Sequence, residues 1–286
     1  MIKKIKEFIK SNNLFDPNAK LLVAVSGGMD SMFLLYILMK LDYELEIIHC
    51  NFCLRGSESD GDEEFVKEYA FNNNIKIHTK RFDTLEFAKE EKISTQMAAR
   101  DLRYLYFEEI RPISNCDHIA IAHNSDDDVE TFFINLTRGA GLKGLSGIRK
   151  KNKKIVRPIL SIARSEISEY VNLNNISYRE DSSNRKSDYI RNNFRNNIFP
   201  LLSDINPSFK KTILNQIKIL DEVYQMHSIV IDQDLKKIKS KFENGFRIKF
   251  SDILLKNFPM VYIYELFHPY GFKDFDSIYL AIKAQE

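Results

Sequence analysis

Two short stretches of the chain carry side chains able to act together. The first is Ser26-Gly27-Gly28-Met29-Asp30-Ser31, between the run LLVAV at 21–25 and the apolar stretch MFLLYILMK. Two glycines framed by hydroxyls and a carboxylate, where a buried strand hands over to a helix, make a tight turn. Such a turn aims free backbone N–H groups and the positive end of a helix dipole at one point, which is a site for phosphate. The second stretch is IAHNSDDDVET at 121–131, where Asp126, Asp127, Asp128 and Glu130 crowd into one turn at a helix start. Carboxylates so placed can hold a cation, grip an ammonium group or take a proton. An acidic first turn is also favourable helix electrostatics, so each of the four has a structural reading as well.

The elements that must position these groups follow from periodicity. An amphipathic helix opens the chain (Ile2, Ile5, Phe8, Ile9), followed by the strand LLVAV, the helix MDSMFLLYILMK and a second strand, ELEIIHC. A helix from about Glu63, the strand IKIHTKRF and a Ser/Thr-capped helix from Thr95 through Phe107 come next. The strand HIAIAH then leads into a helix beginning near Asp128. Alternation of this kind predicts an α/β domain with a doubly wound, mostly parallel sheet, whose ligands lie at the carboxyl ends of the strands. From residue 203 the pattern changes to Ile-, Leu- and Lys-rich helical stretches (TILNQIKILDEVYQMHSIVI, then QDLKKIKSKF) with a strand-like FRIKF between helices. The expected division is an α/β domain over 1–202 and a smaller, mainly helical domain over 203–286, the latter either short by nature or cut before a further domain.

Composition narrows the class. The 286 residues are 44% hydrophobic, and the longest apolar run, MFLLYILM at 32–39, is far shorter than the roughly 20 residues a membrane span needs. The Lys-rich start has no apolar signal core, so no membrane partner is expected and the cytoplasm is the expected compartment. Three cysteines fit a reducing compartment better than a disulfide framework. The net charge of +2 conceals a basic centre: residues 138–200 hold 14 of the 42 Lys and Arg but only 5 of the 40 Asp and Glu. That is the footprint of a docking polyanion or of a biased solvated surface. Sequence leaves monomer and homodimer both open.

The turn at 26–31 has neither the spacing nor the lysine of a Walker A loop, and it fails the dinucleotide fingerprint. It resembles the pyrophosphate loop of the ATP pyrophosphatase superfamily, whose members cleave ATP between the α and β phosphates. Glycines let the backbone approach the phosphates, Ser26 and Ser31 offer hydroxyls, and Asp30 can hold Mg2+. Further stretches narrow the resemblance: STQMAARDLRY at 94–104, IAHNSDDDVET, LTRGAGLKGLSGI at 136–148, VRPIL at 156–160 and REDSSNRKSDYIRNNFRNNIFPLL at 179–202. In this order they resemble the tRNA(Ile)-lysidine synthetase family from the loop to about Pro200. The resemblance implies that ATP adenylates the C2 carbonyl of the wobble cytidine of a CAU-anticodon isoleucine tRNA, and that the ε-amine of free L-lysine then displaces AMP.

That chemistry assigns roles. Ala24, Ser26, Gly27, Gly28, Met29, Asp30, Ser31 and His49 form the expected ATP set, although His49 also reads as a buried structural histidine. Asp30 and Asp127 are the expected metal ligands. Asp126, Asp127 and Glu130 are expected to bind lysine and supply the base, which a substrate ammonium of pKa near 10.4 requires. Which of them does which stays open. Arg100 and Arg103, with Tyr104, share a helix face expected to turn toward the phosphate charge or toward solvent. Arg138, Arg191 and Arg195, with the lysine run at 149–154, are the candidates for the tRNA backbone, and the run also reads as an exposed loop. The chain departs from the family pattern at Phe52, where a histidine is common, and at Asp128, where glutamine is usual. Two other readings compete: a tRNA thiolase holding an iron–sulfur cluster on Cys50, Cys53 and Cys116, and a tRNA-binding module that does no chemistry.

Overall fold

The computed structural model describes residues 1–180, 190–243 and 245–284. Two compact units divide at Lys218/Ile219, inside a helix; the sequence boundary at 202/203 falls earlier, where the helical pattern begins.

The first unit is built on a six-stranded sheet. Its strands are β1 (Lys20–Ala24), β2 (Glu44–Asn51), β3 (Lys76–Arg81), β4 (His118–Ala120), β5 (Lys151–Asn152) and β6 (Ile155–Val156). The spatial order is β3-β2-β1-β4-β6-β5, parallel throughout except for the β5–β6 hairpin at the edge. The helices are α1 (Ile2–Ser11), α2 (Met29–Lys40), α3 (Ser57–Asn72), α4 (Thr84–Glu90), α5 (Thr95–Ile113), α6 (Ser125–Thr137), α7 (Leu142–Leu145), α8 (Arg164–Leu173), α9 (Ile190–Asn193) and α10 (Phe199–Ile205). A π-helical turn, Phe194–Ile198, joins the last two, and α11 (Phe209–Ile238) follows.

The alternation in β1 explains the two-sided core. Leu21, Val23 and Val25 pack with residues of α1, α2, α3 and α8, whereas Leu22 faces Ile48, Ile119, Tyr106 and Phe107 under α5. A strand buried on both faces must be apolar at every position, as LLVAV is. The strand order reverses direction between β1 and β4, so the loops leaving these two strands open side by side at the carboxyl edge of the sheet. One loop carries Ser26–Ser31 and the other Asn124–Asp127.

Several boundaries differ from the sequence reading. The helix expected from about Glu63 begins at Ser57, after Gly56 at φ +52°; its first two turns, SESDGDE, have no apolar periodicity to reveal them. The helix expected near Asp128 begins at Ser125, capped by the Asn124 side chain on the Asp126 and Asp127 amides. The capped helix from Thr95 runs on to Ile113. The lysine run at 149–154 contributes the two strands' tight turn, with Lys153 at φ +52°.

The second unit contains the hairpin β7 (Ser240–Phe242) and β8 (Gly245–Arg247), and the helices α12 (Phe250–Leu254), α13 (Pro259–Phe267) and α14 (Phe275–Lys283). The tail of QDLKKIKSKF is therefore strand, and FRIKF ends by entering α12. Ile231, Leu235, Ile253, Tyr262, Ile263, Leu266 and Ile282 form its core. Asp234 accepts hydrogen bonds from Tyr262 Oη at 2.7 Å and Lys256 Nζ at 2.8 Å.

Candidate active site

The turn after β1 is held by its own serines. Ser31 Oγ donates to the Gly28 carbonyl at 2.8 Å and accepts from the Ser26 amide at 3.2 Å, and the two hydroxyl oxygens lie 3.2 Å apart. Gly27 sits at φ +91°, where a β-carbon is strained, and its carbonyl accepts from the Arg179 amide at 2.9 Å. The amides at the start of α2 then open into a cavity of about 470 Å3 whose walls include Ser26, Gly28, Met29, Asp30, Ser31 and Asp127. Four arginines complete it: Arg164, Arg179, Arg191 and Arg195.

Asp30 and Asp127 arrive from the two neighbouring loops. Burial pushes the Asp30 carboxyl above the usual range, with Arg164 opposing and the Asp127 charge adding to the rise. Burial also raises Asp127, against the Asn124 amide that donates to its Oδ2 at 2.9 Å. Asp30 Oδ1 is buried with no hydrogen-bond partner. Two partly repelling carboxylates, one with an orphaned oxygen, beside a phosphate-type loop fit a hard divalent cation such as Mg2+, with phosphate oxygens as the remaining ligands. Among the described residues no group of three or more His, Cys, Asp or Glu side chains is placed to hold a metal ion.

The other acidic residues have partners. Asp126 Oδ2 accepts from the Arg164 amide at the start of α8 at 2.8 Å, and Lys210 Nζ lies 2.5 Å from Oδ1. Burial raises this carboxyl, but the two contacts outweigh it and hold it below the usual range. Asp128 Oδ1 accepts from the Ile148 amide and so ties α6 to the glycine-rich turn. Glu130, 1% exposed, pairs with Arg195, whose Nη2 lies 2.6 Å from Oε1 and whose Nε donates to the same oxygen at 2.8 Å. Arg191 Nε is 3.3 Å from Oε2, close enough for attraction but too poorly aligned for a hydrogen bond. An aromatic cluster of Phe133, Phe194, Phe199 and Phe209 packs α6 against this segment and fixes the pairing. Arg191 and Arg195 therefore line the phosphate-type cavity. Arg138 is exposed at the end of α6. Ser182, Ser183 and Asn184, which precede Arg191 and Arg195 in the chain, lie outside the described residues.

A second cavity of about 370 Å3 shares Ser26, Asp30, Ser31 and Asp127 with the first, but its far wall is apolar: Ala24, Ile48, Phe52, Phe107 and Ile121. That volume and apolar wall would accommodate a nucleobase. Arg103 lines it, its guanidinium 5.2 Å from the Phe52 ring centroid, while Arg100 is exposed and stacks on Tyr104 at 5.0 Å. Of the expected pair, only Arg103 reaches the cavity, one turn further along the same helix. Phe52, the departure from the family pattern, stacks on Phe82 and carries Arg103. His49 is buried, its Nδ1 2.8 Å from the Val25 carbonyl, and burial lowers its pKa; it lines a smaller neighbouring cavity, not this one. His123 and Arg157 carry no expected role from sequence, yet His123 lines the nucleobase-type cavity with Arg157 Nε donating to its Nδ1 at 3.0 Å. The only sequence signal for them was position: each ends or follows a strand at the carboxyl edge.

The three cysteines are not brought together. Cys50 and Cys53 lie at the carboxyl end of β2, whereas Cys116 precedes β4 at the opposite edge of the sheet, in the register Leu21 with His118. Cys116 belongs to the core under α5, and burial raises it to about 11.

Residues 1–202 match the PP-loop domain family, so fold and site define a PP-loop protein, a nucleotide-binding α/β class. At the level of fold, the chain is similar to a U34-tRNA thiolase from Methanococcus maripaludis, with a TM-score of 0.63 and 22% identity over 77% of this chain and 78% of that one. The chain belongs more narrowly to the tRNA(Ile)-lysidine synthase family. It is 36% identical to the synthase of Petrotoga mobilis over 85% of this chain and 81% of that protein. It is 42% identical to that of Bacteroides thetaiotaomicron over 94% of this chain and 62% of that protein. The chain spans about three fifths of the length of the Bacteroides, Parabacteroides and Porphyromonas relatives it matches. No helix among the described residues is long and apolar enough to cross a membrane.

Proposed function

We propose that the protein ligates free L-lysine to C2 of the wobble cytidine of the CAU-anticodon isoleucine tRNA, with ATP converted to AMP and pyrophosphate. The observation that carries this reading is the meeting of Asp30 and Asp127, from loops far apart in sequence, beside a phosphate-type turn, four arginines and an adjoining apolar pocket. A cytosine carbonyl is a poor electrophile, so its oxygen has to become a leaving group. In-line attack on the α-phosphate needs the β and γ phosphates held and neutralised. The amides at the start of α2, Ser26 and Ser31 hold them, with Arg164, Arg179, Arg191 and Arg195 facing their charge. Asp30 and Asp127 would hold Mg2+, which supplies charge neutralisation at the phosphates.

The lysine amine must then lose a proton. The carboxylates of this cluster are the acceptors at hand, and Asp127 can take that proton only when it is not holding the metal. Asp126 already binds one ammonium group, that of Lys210, and a substrate lysine would compete with it there. Glu130 acts through Arg191 and Arg195. Arg138 and the basic segment steer the tRNA backbone. A binding module that does no chemistry has no need of a buried orphaned carboxylate oxygen, and the separation of Cys116 from Cys50 and Cys53 disfavours a three-cysteine cluster.

The test is a pyrophosphate-release assay with Mg-ATP and radiolabelled lysine, supplying either the isoleucine or the methionine CAU-anticodon transcript. Label in the isoleucine transcript alone, lost in Asp30→Ala, is the expected result. Pyrophosphate release with no lysine transfer would overturn the assignment of the nucleophile.

A further inference from the structure

A guanidinium can only donate hydrogen bonds and stays charged at any working pH. Arg157 Nε donates to His123 Nδ1 at 3.0 Å, so that nitrogen must present its lone pair. Arg157 is itself fixed: it is 7% exposed, and its Nη1 donates to the Arg149 carbonyl at 2.7 Å. The His123 ring is thereby a neutral imidazole whose single proton sits on Nε2. It lies just past β4, opposite the pyrophosphate-type turn across the strand-order reversal, in the cavity whose walls include Ser26, Ser31, Asp30 and Asp127. Burial and the surrounding cations Arg157, Arg191, Arg103 and Arg100 all disfavour a second proton, holding the ring down to about 3.

We propose that His123, locked by Arg157 as its Nε2–H tautomer, is a nucleotide-binding residue that donates one hydrogen bond to an oxygen of bound ATP, and that Arg157 is its positioning residue. Rigid donors aimed at developing charge stabilise it without reorganising. A histidine able to titrate in this cavity would compete for the proton that the lysine amine must lose; the lock supplies a donor with no such competition. His123 is thus excluded as the general base, and that role stays with the carboxylates. The inference rests on the reading of this cavity as an ATP site.

The test has two readouts besides turnover. The first is 15N NMR of histidine-labelled protein: His123 is expected to show the neutral Nε2–H pattern across about pH 5–8 without titrating, and its Nε2 proton to shift on adding Mg-ATP. In Arg157→Met the lock is gone, and the signal should titrate or mix tautomers. The second is calorimetric Mg-ATP binding in the absence of tRNA and lysine. His123→Phe should bind about tenfold or more weaker, the scale of one hydrogen bond to a charged acceptor, and His123→Gln, which keeps an N–H donor, should recover part of the loss. An Nδ1–H tautomer, titration near neutrality in the parent protein, or equal ATP affinity in parent and His123→Phe would overturn the proposal. Failure of the parent protein to bind ATP at all would instead overturn the reading of the site.

Discussion

Glu130→Gln separates a residue that grips substrate from one that aims its neighbours. The substitution preserves shape but replaces one acceptor oxygen by an NH2 group that faces guanidinium donors, and it removes the carboxylate that pairs with both Arg195 and Arg191. At about 4 Å and an effective dielectric near 20, one such pair is worth roughly 4 kcal/mol before desolvation. Arg195 is 27% and Arg191 46% exposed, so water screens much of this. A net loss of about 2 kcal/mol of stability is expected, seen as a fall in Tm of roughly 4–8 °C. The kinetic signature is more telling. With both arginines released, the lysine KM should stay within about twofold, while kcat falls about 10- to 100-fold as the cations lose their aim at the phosphates. The assay is pyrophosphate release and labelled-lysine transfer over a matrix of ATP and lysine concentrations. A large rise in lysine KM with kcat unchanged would refute the reasoning and return Glu130 to the role of lysine ligand.

Burial holds Asp30 and Asp127 above the usual carboxylate range, so the folded chain binds protons more tightly than the unfolded one. Stability without divalent cation then falls as pH rises above the unfolded carboxylate pKa and stays lost at neutral pH. Asp30→Asn should therefore abolish pyrophosphate release yet leave Tm in EDTA at pH 8 unchanged or roughly 2–4 °C higher, with no gain at pH 4; a marked loss of Tm at pH 8 would contradict the repulsion. Gly147, at φ +75°, has no room for a β-carbon, which would fall 2.5 Å from Ile217 Cγ2 and 2.6 Å from Asp128 Oδ1. Gly147→Ala should cost about 3 kcal/mol, measured by urea unfolding. Cys53→Ser, which breaks the Cys-x-x-Cys pair without changing the wall that Cys50 lends the nucleobase-type cavity, should keep lysine transfer within about threefold of the parent; complete loss with a well-folded protein would revive the thiolase reading.

Some of this site was readable before folding was considered. Apolar LLVAV next to Ser-Gly-Gly-Met-Asp-Ser announces a strand, a turn and a helix start, because each signal is local: side-chain period, glycine backbone freedom, a capping hydroxyl. The same holds for the α/β alternation that places both turns at strand ends, whereas the Asn124 cap, ahead of the helix start expected near Asp128, emerged only in the fold. Composition likewise exposed the basic centre, but not what its charges touch.

Tertiary structure decided who pairs with whom. Sequence offered Asp126, Asp127 and Glu130 for lysine and base roles without saying which does which, and gave Asp128 none. The fold ties Asp126 to α8 and Lys210, Asp128 to the Ile148 amide, and Glu130 to Arg195 and Arg191, leaving Asp127 to face Asp30. It likewise sends Arg103 into the cavity and leaves Arg100 outside, and it joins His123 to Arg157 across 34 residues. None of these contacts leaves a mark on periodicity or propensity, because each depends on strand order and on the packing of α6 against the aromatic cluster. A carboxylate's chemistry is set by the charges and the water around it, and only the folded chain fixes both.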